Sequence, residues 1–332
     1  MAPVVSSLDP NKGPIAGGTA VTINGSGFTG VTAVRFGTVS ASFTVISTSQ
    51  IIATSPAGSG TVNVTVVATS GTSNGFAYTY VAIPVLSSLA PGRGPTSGGS
   101  TVIVTGTNLS AATSVQFNTS PAVITGNSAT QIAVTAPAAP AAPAVVTVTT
   151  AGGASNPLSY FYIPAPTISL LSPDKGPLSA GNTVTITGSN LTLTSTVRFG
   201  ATAATGVTVD SDSQVIANAP SGSGSVTVTV TTPGGTSTPG LGTAYYTYLV
   251  AMAVSSLNPS SGPALGGTTV TLTGSGLTFA DEVRFGSVPV PFTAISDTQI
   301  IAVAPGGAPG TVTVVVRTPA GTSSGIPYQY VT

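Results

Sequence analysis

The amino-acid sequence predicts an all-β protein built from four tandem β-sandwiches. One stretch of the chain occurs four times in similar form, so a single structural unit is repeated. Inside each copy, apolar and polar residues alternate with a period of two, as in Val21, Thr22, Ile23 and Asn24, and this period is typical of strands with one buried face. Gly and Pro interrupt the pattern at short intervals, and no segment has the period of an amphipathic helix.

The repeated unit has about 80 residues, a size at which a domain can fold alone with a thin margin. Its opening stretch, Pro3 to Phe28, returns from Pro84, Pro166 and Ala253. We therefore divide the chain into four domains, with residues 1–82, 83–163, 164–250 and 251–332. The junctions between them are short, apolar or Pro-containing, and lack Gly/Ser runs, which predicts that the domains form an extended rod.

Seven or eight strands are predicted in the first repeat, and seven of them have definite bounds. They are Val4–Leu8, Thr19–Asn24, Thr32–Phe36, Ala41–Ile46, Gln50–Thr54, Thr61–Ala68 and Gly75–Val81. A corner at residues 10–18 bends the chain after the first strand, and Gly13 is expected to supply a positive φ there. The pair Asn24-Gly25 has the sequence of a tight turn.

The core of the first repeat is predicted from the faces of these strands. Alternation places five side chains on inward faces: Val21, Ile23, Phe36, Val64 and Tyr78. Each repeat then closes on two tyrosines separated by one residue: Tyr78/Tyr80, Tyr160/Tyr162, Tyr246/Tyr248 and Tyr328/Tyr330. We interpret these pairs as core and rim packing, with a sugar-stacking platform as the alternative.

Basic residues recur at two positions of the repeat. Three arginines lie between inward Val and Phe residues and are therefore predicted to point to solvent: Arg35, Arg198 and Arg284. Three more basic residues precede the Gly-Pro pair of the corner: Lys12, Arg93 and Lys175. The latter are expected near the domain junctions, where they could pair across the junction or cap carbonyl groups.

The composition excludes several classes of function. Only 4% of residues are charged, against about 25% in an ordinary soluble domain, and the seven basic and seven acidic residues cancel. Without a basic patch, no nucleic-acid partner is expected. The chain has no Cys and no His, which removes thiolate and imidazole chemistry. We therefore expect no catalytic residues, no enzyme activity, no cofactor and no metal.

Two acidic pairs are the only candidates for a cation site. They are Asp210 with Asp212, and Asp281 with Glu282. A Ca²⁺ ion needs six to eight oxygen ligands, and neither pair recurs in the first two repeats. Solvated or ion-paired carboxylates are the favoured interpretation.

The sequence also bears on localisation. No apolar run approaches the roughly 20 residues of a transmembrane helix, so membrane insertion is not expected. The sequence given enters its first repeat directly and shows no signal-peptide pattern, so we expect either that a leader has been removed or that none is used. An extracellular or cell-surface location is predicted, and a phage virion is the alternative that needs no signal peptide.

The ordered motifs resemble a known family. The opening strand, the Pro and Gly-Pro corner, the strand Thr-Val-Thr-Ile-x-Gly, the strand Val-x-Phe-Gly and the closing Tyr-x-Tyr resemble the IPT/TIG domain over nearly the whole chain. The resemblance implies an immunoglobulin-like fold, found in plexins, some transcription factors and many secreted bacterial proteins. It implies a fold and not a function, because relatives serve as stalks, adhesin modules and filament subunits, or lie beside catalytic domains that act on starch.

These observations favour a non-catalytic structural or adhesive protein, a rigid stalk or a subunit of a cell-surface or extracellular fibre. The alternatives are an ancillary carbohydrate-binding segment of a secreted polysaccharide-acting enzyme and a phage fibre or decoration protein. Surface glycans are accordingly a possible partner.

Self-association, laterally or end to end, is the partner expectation that the sequence supports most directly, since near-zero net charge favours it. Strands Ser225–Thr232 and Thr311–Val316 carry no charge, so they could pair with a strand of another molecule if they lay at a sheet edge. The first and last strands are predicted to add to a neighbouring molecule through main-chain hydrogen bonds. Their candidate residues are Val4, Val5, Leu8, Tyr328, Tyr330 and Val331.

Overall fold

A computed structural model of the chain describes residues 1–240 and 244–332. Its contacts divide the chain into two compact units, Met1–Pro164 and Ala165–Thr332, and each unit contains two repeats. In the described residues, the one helical element is a turn of 3-10 helix at Leu277–Phe279. Within those same ranges, no helix has the length and hydropathy to span a bilayer. The all-β prediction is confirmed.

The first unit contains nineteen strands. Those of the first repeat are β1 (Val4–Asp9), β2 (Lys12–Pro14), β3 (Ala20–Ser26), β4 (Val31–Phe36), β5 (Val39–Ser47), β6 (Gln50–Thr54), β7 (Thr61–Ala68), β8 (Gly71–Thr72) and β9 (Phe76–Val81). Those of the second are β10 (Val85–Ala90), β11 (Arg93–Pro95), β12 (Thr101–Thr107), β13 (Ser114–Phe117), β14 (Ser120–Pro121), β15 (Val123–Asn127), β16 (Gln131–Thr135), β17 (Pro143–Thr150), β18 (Gly153–Ala154) and β19 (Leu158–Ile163).

The second unit repeats this order of elements. The third repeat has β20 (Thr167–Ser172), β21 (Lys175–Pro177), β22 (Thr183–Ser189), β23 (Thr196–Phe199), β24 (Thr202–Ala203), β25 (Thr205–Ser211), β26 (Gln214–Asn218), β27 (Gly224–Thr232), β28 (Gly235–Thr236) and β29 (Tyr245–Leu249). The fourth has β30 (Ala253–Asn258), β31 (Ser261–Pro263), β32 (Thr269–Ser275), β33 (Glu282–Phe285), β34 (Val288–Val290), β35 (Phe292–Ser296), β36 (Gln299–Val303), β37 (Gly310–Thr318), β38 (Gly321–Thr322) and β39 (Ile326–Val331).

Two sheets form each repeat. In the second repeat the smaller sheet has the order β10-β12-β16-β15, and the larger has the order β11-β19-β17-β13-β14 with β18 beside β17. The third and fourth repeats follow the same order, whereas in the first the longer β5 joins both sheets. Neighbouring strands are antiparallel except at one place in each repeat, where the short corner strand pairs in parallel with the closing strand.

The core lies between the sheets, as the alternation predicts. Val21, Ile23, Phe36, Val64 and Tyr78 are all buried. Rings of Phe36 and Tyr78 meet edge-on with centroids 5.0 Å apart, and Tyr80 meets Tyr78 in the same way at 5.2 Å. The equivalent Phe and two Tyr rings make the same edge-on contacts in the other three repeats. The predicted core of the repeat is confirmed.

The glycine of each Gly-Pro corner is required by close packing. Gly13 does not have a positive φ, so that expectation was wrong; Gly17 and Gly18 do, at 77° and 85°. A Cβ atom on Gly13 would lie 2.0 Å from the hydroxyl oxygen of Tyr78. Gly94 stands in the same relation to Tyr160, at 2.1 Å. The corner therefore folds against the buried end of the first closing tyrosine.

The pair Asn24-Gly25 is not a turn. Both residues lie inside β3, where Gly25 pairs with Val5 beside an irregularity in the register of β1. A Cβ atom on Gly25 would lie 1.9 Å from the carbonyl oxygen of Val4. The glycine thus permits close approach of two strands at a bulge, a role that strand glycines often have.

Candidate functional site

The predicted assembly residues divide between core and surface. In β1, Val5 and Leu8 are buried, whereas Val4 is 47% exposed. Tyr328 and Tyr330 of β39 belong to the core cluster of the fourth repeat. Val331 is 46% exposed. Most of these side chains are therefore occupied within their own repeat.

The closing strand does not present a free edge at its end. Residues Gln329, Tyr330 and Val331 pair in parallel with Ser261, Gly262 and Pro263 of β31. On the other side, β39 pairs with β37 from Gly310 onward. Both sides of the strand are thus hydrogen-bonded within the repeat, which leaves little main chain for a neighbouring molecule.

The first strand lies at an edge, but a side chain covers part of it. Strand β1 pairs only with β3, and its register shifts between Val5 and Ser7. The amide of Asn74 occupies the outer side of Val5: its Oδ1 accepts from the Val5 N–H at 2.9 Å, and its Nδ2 donates to the Val5 carbonyl at 3.0 Å. Asn156 binds Leu86 in the same two ways in the second repeat. Bulges and blocked main-chain groups protect an edge strand from further pairing.

The two charge-free strands singled out from the sequence are central and not at an edge. Strand β27, which includes Ser225–Thr232, lies between β29 and β23. Strand β37, which includes Thr311–Val316, lies between β39 and β33. Their lack of charge reflects interior positions in a sheet, so neither is available for strand addition.

In each repeat, the edge of the smaller sheet that lies opposite the first strand is irregular as well. In every repeat its edge strand has a register shift that sets one residue out of the ladder, at Ile46, Thr125, Asp210 and Ile295, and the third repeat has a second shift between Thr205 and Thr208. The side chains of Ile46 and Ile295 are exposed. Asp210, one of the predicted acidic residues, therefore places a charge on the edge of the third repeat, which discourages pairing there.

The paired tyrosines are core residues. The second tyrosine of each pair donates its hydroxyl proton to a Pro carbonyl, as Tyr80 does to Pro56 at 2.9 Å and Tyr162 to Pro137 at 2.7 Å. Burial raises the pKa of Tyr162 to about 12, with the neighbouring Tyr160 adding to the shift. Since these rings are enclosed, they cannot form the sugar-stacking platform considered above.

The outward arginines and the acidic pair near them interact locally. Arg35 and Arg198 are exposed as predicted, and Arg198 Nη1 donates to the Ala201 carbonyl at 2.7 Å. Arg284 Nη2 lies 2.8 Å from Glu282 Oε1, while Arg317 Nε lies 2.9 Å from Asp281 Oδ1. The guanidinium groups beside Glu282 lower the pKa of its carboxyl.

One acidic residue of the third repeat, Asp212, holds a loop in place through hydrogen bonds. Asp212 Oδ1 accepts from the Thr192 hydroxyl at 2.8 Å, and Asp212 Oδ2 from the Asn190 N–H at 3.3 Å. These hydrogen bonds, led by that from Thr192, lower the pKa of Asp212. Over residues 1–240 and 244–332, no group of three or more His, Cys, Asp or Glu side chains could hold a metal ion.

One of the corner cations reaches the next repeat. Lys175 Nζ lies 3.0 Å from Asp174 Oδ2 and 5.6 Å from the ring centroid of Phe279 in the fourth repeat. A cation over an aromatic ring at this distance is attracted to it. Within the first unit, Asn108 Nδ2 donates to the Ile83 carbonyl of the junction at 3.0 Å. Junction residues are thus held by specific polar contacts.

The second repeat has an exposed, largely apolar surface whose residues are far apart in the sequence. Phe161 of β19 is 47% exposed and pairs with Arg93 of β11 on one side and with Pro143 of β17 on the other. Val145 lies two residues after Pro143 in β17 and is 46% exposed. In-register residues of neighbouring strands project from the same face. We call Arg93, Pro143, Val145 and Phe161 the aromatic platform.

The signal for the aromatic platform was present in the sequence. Phe161 stands between the two closing tyrosines, where the other repeats have Thr79, Thr247 and Gln329. The Ala/Pro tract of residues 136–143 is found in the second repeat alone and ends at Pro143. Phe161 and Pro143, the two residues that differ from the other repeats, lie beside each other and near Arg93 only because of the register of β11, β19 and β17.

The fold defines a class: tandem immunoglobulin-like β-sandwiches with a Gly-Pro corner against the closing strand. The family model of the IPT/TIG domain matches the chain four times, at residues 3–80, 84–162, 166–247 and 252–330. The chain therefore belongs to the IPT/TIG domain family, as the motifs predict.

Among known proteins, the chain is similar to Fibrocystin-L of Mus musculus, with 31% identity over 196 residues that make up 56% of this chain. Fibrocystin-L of Homo sapiens is 29% identical over the same length. The matched segment spans only 4% of the length of either relative.

Solved structures show a looser likeness. The extracellular region of plexin A4 gives a TM-score of 0.38 at 21% identity, over 97% of this chain and 30% of that one. Invasin, a bacterial integrin-binding protein, gives 0.28 at 13% identity, over 99% and 79%. SGBP-B of Bacteroides uniformis gives 0.24 at 21% identity, over 50% and 49%. At such TM-scores the likeness carries no argument about function.

Proposed function

We propose that this chain is a non-catalytic structural and adhesive array that works outside the cell, as a stalk or as a subunit of a surface fibre. Each repeat is taken as one domain of the array, within residues 1–82, 83–163, 164–250 and 251–332. The observation that carries the proposal is the parallel pairing of the corner strand with the closing strand, which occurs in all four repeats.

The parallel pair is held by hydrogen bonds across the strands. In the first repeat, Thr79 N–H donates to the Asn11 carbonyl at 3.0 Å, and Ile15 N–H donates to the Val81 carbonyl at 3.1 Å. Lys12, Gly13 and Pro14 face Thr79, Tyr80 and Val81 in register. The corner strand, which follows the first strand of the domain, is therefore tied directly to the last strand.

This arrangement resists tension along the chain. A pull on the two ends of the domain moves parallel strands in opposite directions along their common axis, so their hydrogen bonds are sheared together and not opened one at a time. Resistance to forced unfolding is governed by the unfolding rate, which such simultaneous rupture slows. A stalk or fibre needs this property in every domain, whereas a freely diffusing binding protein does not.

Single-molecule pulling of the intact chain tests the proposal. We expect four unfolding events, each releasing roughly 280 Å of chain from about 80 residues at up to 3.6 Å per residue. The variant Ile15→Pro removes one N–H donor of the parallel pair, and Ile15→Ala retains it. Ile15→Pro should lower the force of one event and leave three unchanged, while Ile15→Ala changes none. Unfolding without resolved force peaks would contradict a tension-bearing role.

Glycan binding is the second candidate function, and one observation favours it. The aromatic platform exposes Phe161 on the open face of a sheet, next to the cation Arg93. Binding of soluble oligosaccharides by the intact chain distinguishes this role from a purely mechanical one.

A further inference from the structure

The aromatic platform occupies a row that the other repeats fill with polar side chains. The row contains one residue from the corner strand, one from the closing strand and one from the strand beside it. In the first repeat, Thr79 and Thr61 hydroxyls lie 3.0 Å apart. In the third, Thr247 donates to Ser225 at 3.2 Å, and in the fourth, Thr311 donates to Gln329 at 2.6 Å. The second repeat replaces this hydrogen-bonded pair with Phe161 and Pro143.

This replacement brings no gain to the core. Tyr160 and Tyr162, which flank Phe161, are buried on the inner face, so Phe161 itself projects outward. The ring of Phe161 is 47% exposed. It adds apolar surface in contact with water at a position where the other repeats have hydrogen-bonded polar side chains. With Val145 also exposed beside it, the surface is a contiguous patch, and such patches mark interaction sites.

Arg93 supplies the polar part of the surface. Its side chain is exposed, and no described residue forms an ion pair with it. Lys175, at the equivalent position of the third repeat, is paired with Asp174 and lies over Phe279. Arg93 therefore presents a free guanidinium next to an open aromatic face.

We propose that the aromatic platform binds a carboxylated sugar residue of an anionic polysaccharide. The apolar C–H face of a pyranose ring packs on an aromatic ring, and the planar guanidinium of arginine binds a carboxylate through two parallel hydrogen bonds. Arg93, Pro143, Val145 and Phe161 are all exposed, so a sugar residue can reach the ring and the guanidinium from solvent. This inference rests on the glycan-binding candidate and names its ligand class, whereas the mechanical role stands without it.

Binding of uronate oligosaccharides to the full-length chain is the test. The probes are oligomers of galacturonate, glucuronate and alginate, each compared with its carboxyl-reduced form by isothermal titration. We expect at least one uronate oligomer to bind and its reduced form to bind about tenfold more weakly or not at all. Arg93→Gln should cause a loss of the same size, and Phe161→Thr, which installs the residue of the first and third repeats, should abolish binding. Thr79→Ala in the first repeat is the matched control and should change nothing.

Four results would overturn the proposal. One is the absence of binding to every uronate oligomer, and another is equal affinity for the reduced forms. Competition by poly-glutamate as strong as that by the oligosaccharide would show that a carboxylate alone is recognised. Concentration-dependent dimerisation that Phe161→Thr removes would show that a second copy of the chain covers the surface. In each case the pulling experiment still reports on the mechanical role, so the two proposals fail separately.

Discussion

The Nδ2 atom of Asn182 donates a hydrogen bond of 2.7 Å to the hydroxyl of Tyr246 inside the third repeat. Thr19 and Thr268 occupy the same position in the first and fourth repeats, just before β3 and β32. There the buried hydroxyls of Tyr78 and Tyr328 have no hydrogen-bond partner among the described residues. One repeat thus satisfies a buried group that others leave unpaired.

Asparagine at these positions should stabilise the repeats that lack it. We expect Thr19→Asn to raise the free energy of unfolding of the first repeat by about 0.5–1.5 kcal/mol, and Asn182→Ala to lower that of the third by about 1–3 kcal/mol. Hydrogen exchange resolved by repeat in the intact chain measures both. In a Tyr246→Phe background the effect of Asn182→Ala should largely disappear; an undiminished effect would show that Asn182 acts through other contacts.

Phe36 should be essential to its repeat. It is buried and contacts Tyr78 edge-on, so Phe36→Ala removes a large core ring and leaves a cavity. The expected loss is about 3–5 kcal/mol, enough to unfold a domain of this size. Val39→Ala, at an exposed position of β5, is the control and should cost little. A loss below about 1 kcal/mol for Phe36→Ala, measured by denaturant unfolding, is incompatible with its position in the core.

Removal of the side chain that covers the first strand should expose its edge. Asn74→Ala frees both the N–H and the carbonyl of Val5, so the Val5 amide should exchange faster and the chain should self-associate more at high concentration. Asn74→Asp keeps only an acceptor and should have an intermediate effect. Sedimentation velocity over a range of concentrations measures association. If Asn74→Ala stays as monomeric as the parent chain, edge protection at Val5 is not what limits assembly.

Alkaline pH should destabilise the second repeat through Tyr162. Burial raises its pKa to about 12 in the folded protein, from the ordinary tyrosine value of about 10. Below pH 10 the residue is neutral in both states and its contribution is constant. Between pH 10 and 12 the unfolded chain releases the proton and the folded chain does not, so stability falls as the pH rises. Tyr162→Phe should flatten this decline, which denaturant unfolding at several pH values measures; an unchanged slope would assign the decline to other groups.

The sequence predicted the repeat, the strands and the core because all three follow from local alternation. Residues such as Val21, Phe36 and Tyr78 face inward whenever a period of two is kept, irrespective of which strands are neighbours. The extended rod stays a prediction, for which small-angle scattering is the measurement.

The alternation of apolar and polar residues could not predict which strands are neighbours in a sheet. The uncharged strand Ser225–Thr232 could have been central or at an edge, and only the sheet order shows that β29 and β23 flank it. Gly25 had the signature of a turn, but the glycine serves close contact with Val4 across a bulge. The aromatic platform was missed for the same reason, since Arg93 and Phe161 meet only through the register of two parallel strands.

The contact between the corner glycine and the first closing tyrosine makes two distant positions interdependent. In the second repeat, a methyl group on Gly94 would meet the Tyr160 hydroxyl at 2.1 Å, whereas the next nearest atoms, Ser100 Oγ and Tyr160 Cζ, lie at 3.1 and 3.3 Å. Gly94→Ala alone should therefore be damaging, while Tyr160→Phe removes the nearest of these atoms, so the double variant should be less damaging than Gly94→Ala alone. Sequences that diverge from this repeat should consequently exchange the two residues as a covarying pair, glycine with tyrosine or alanine with phenylalanine.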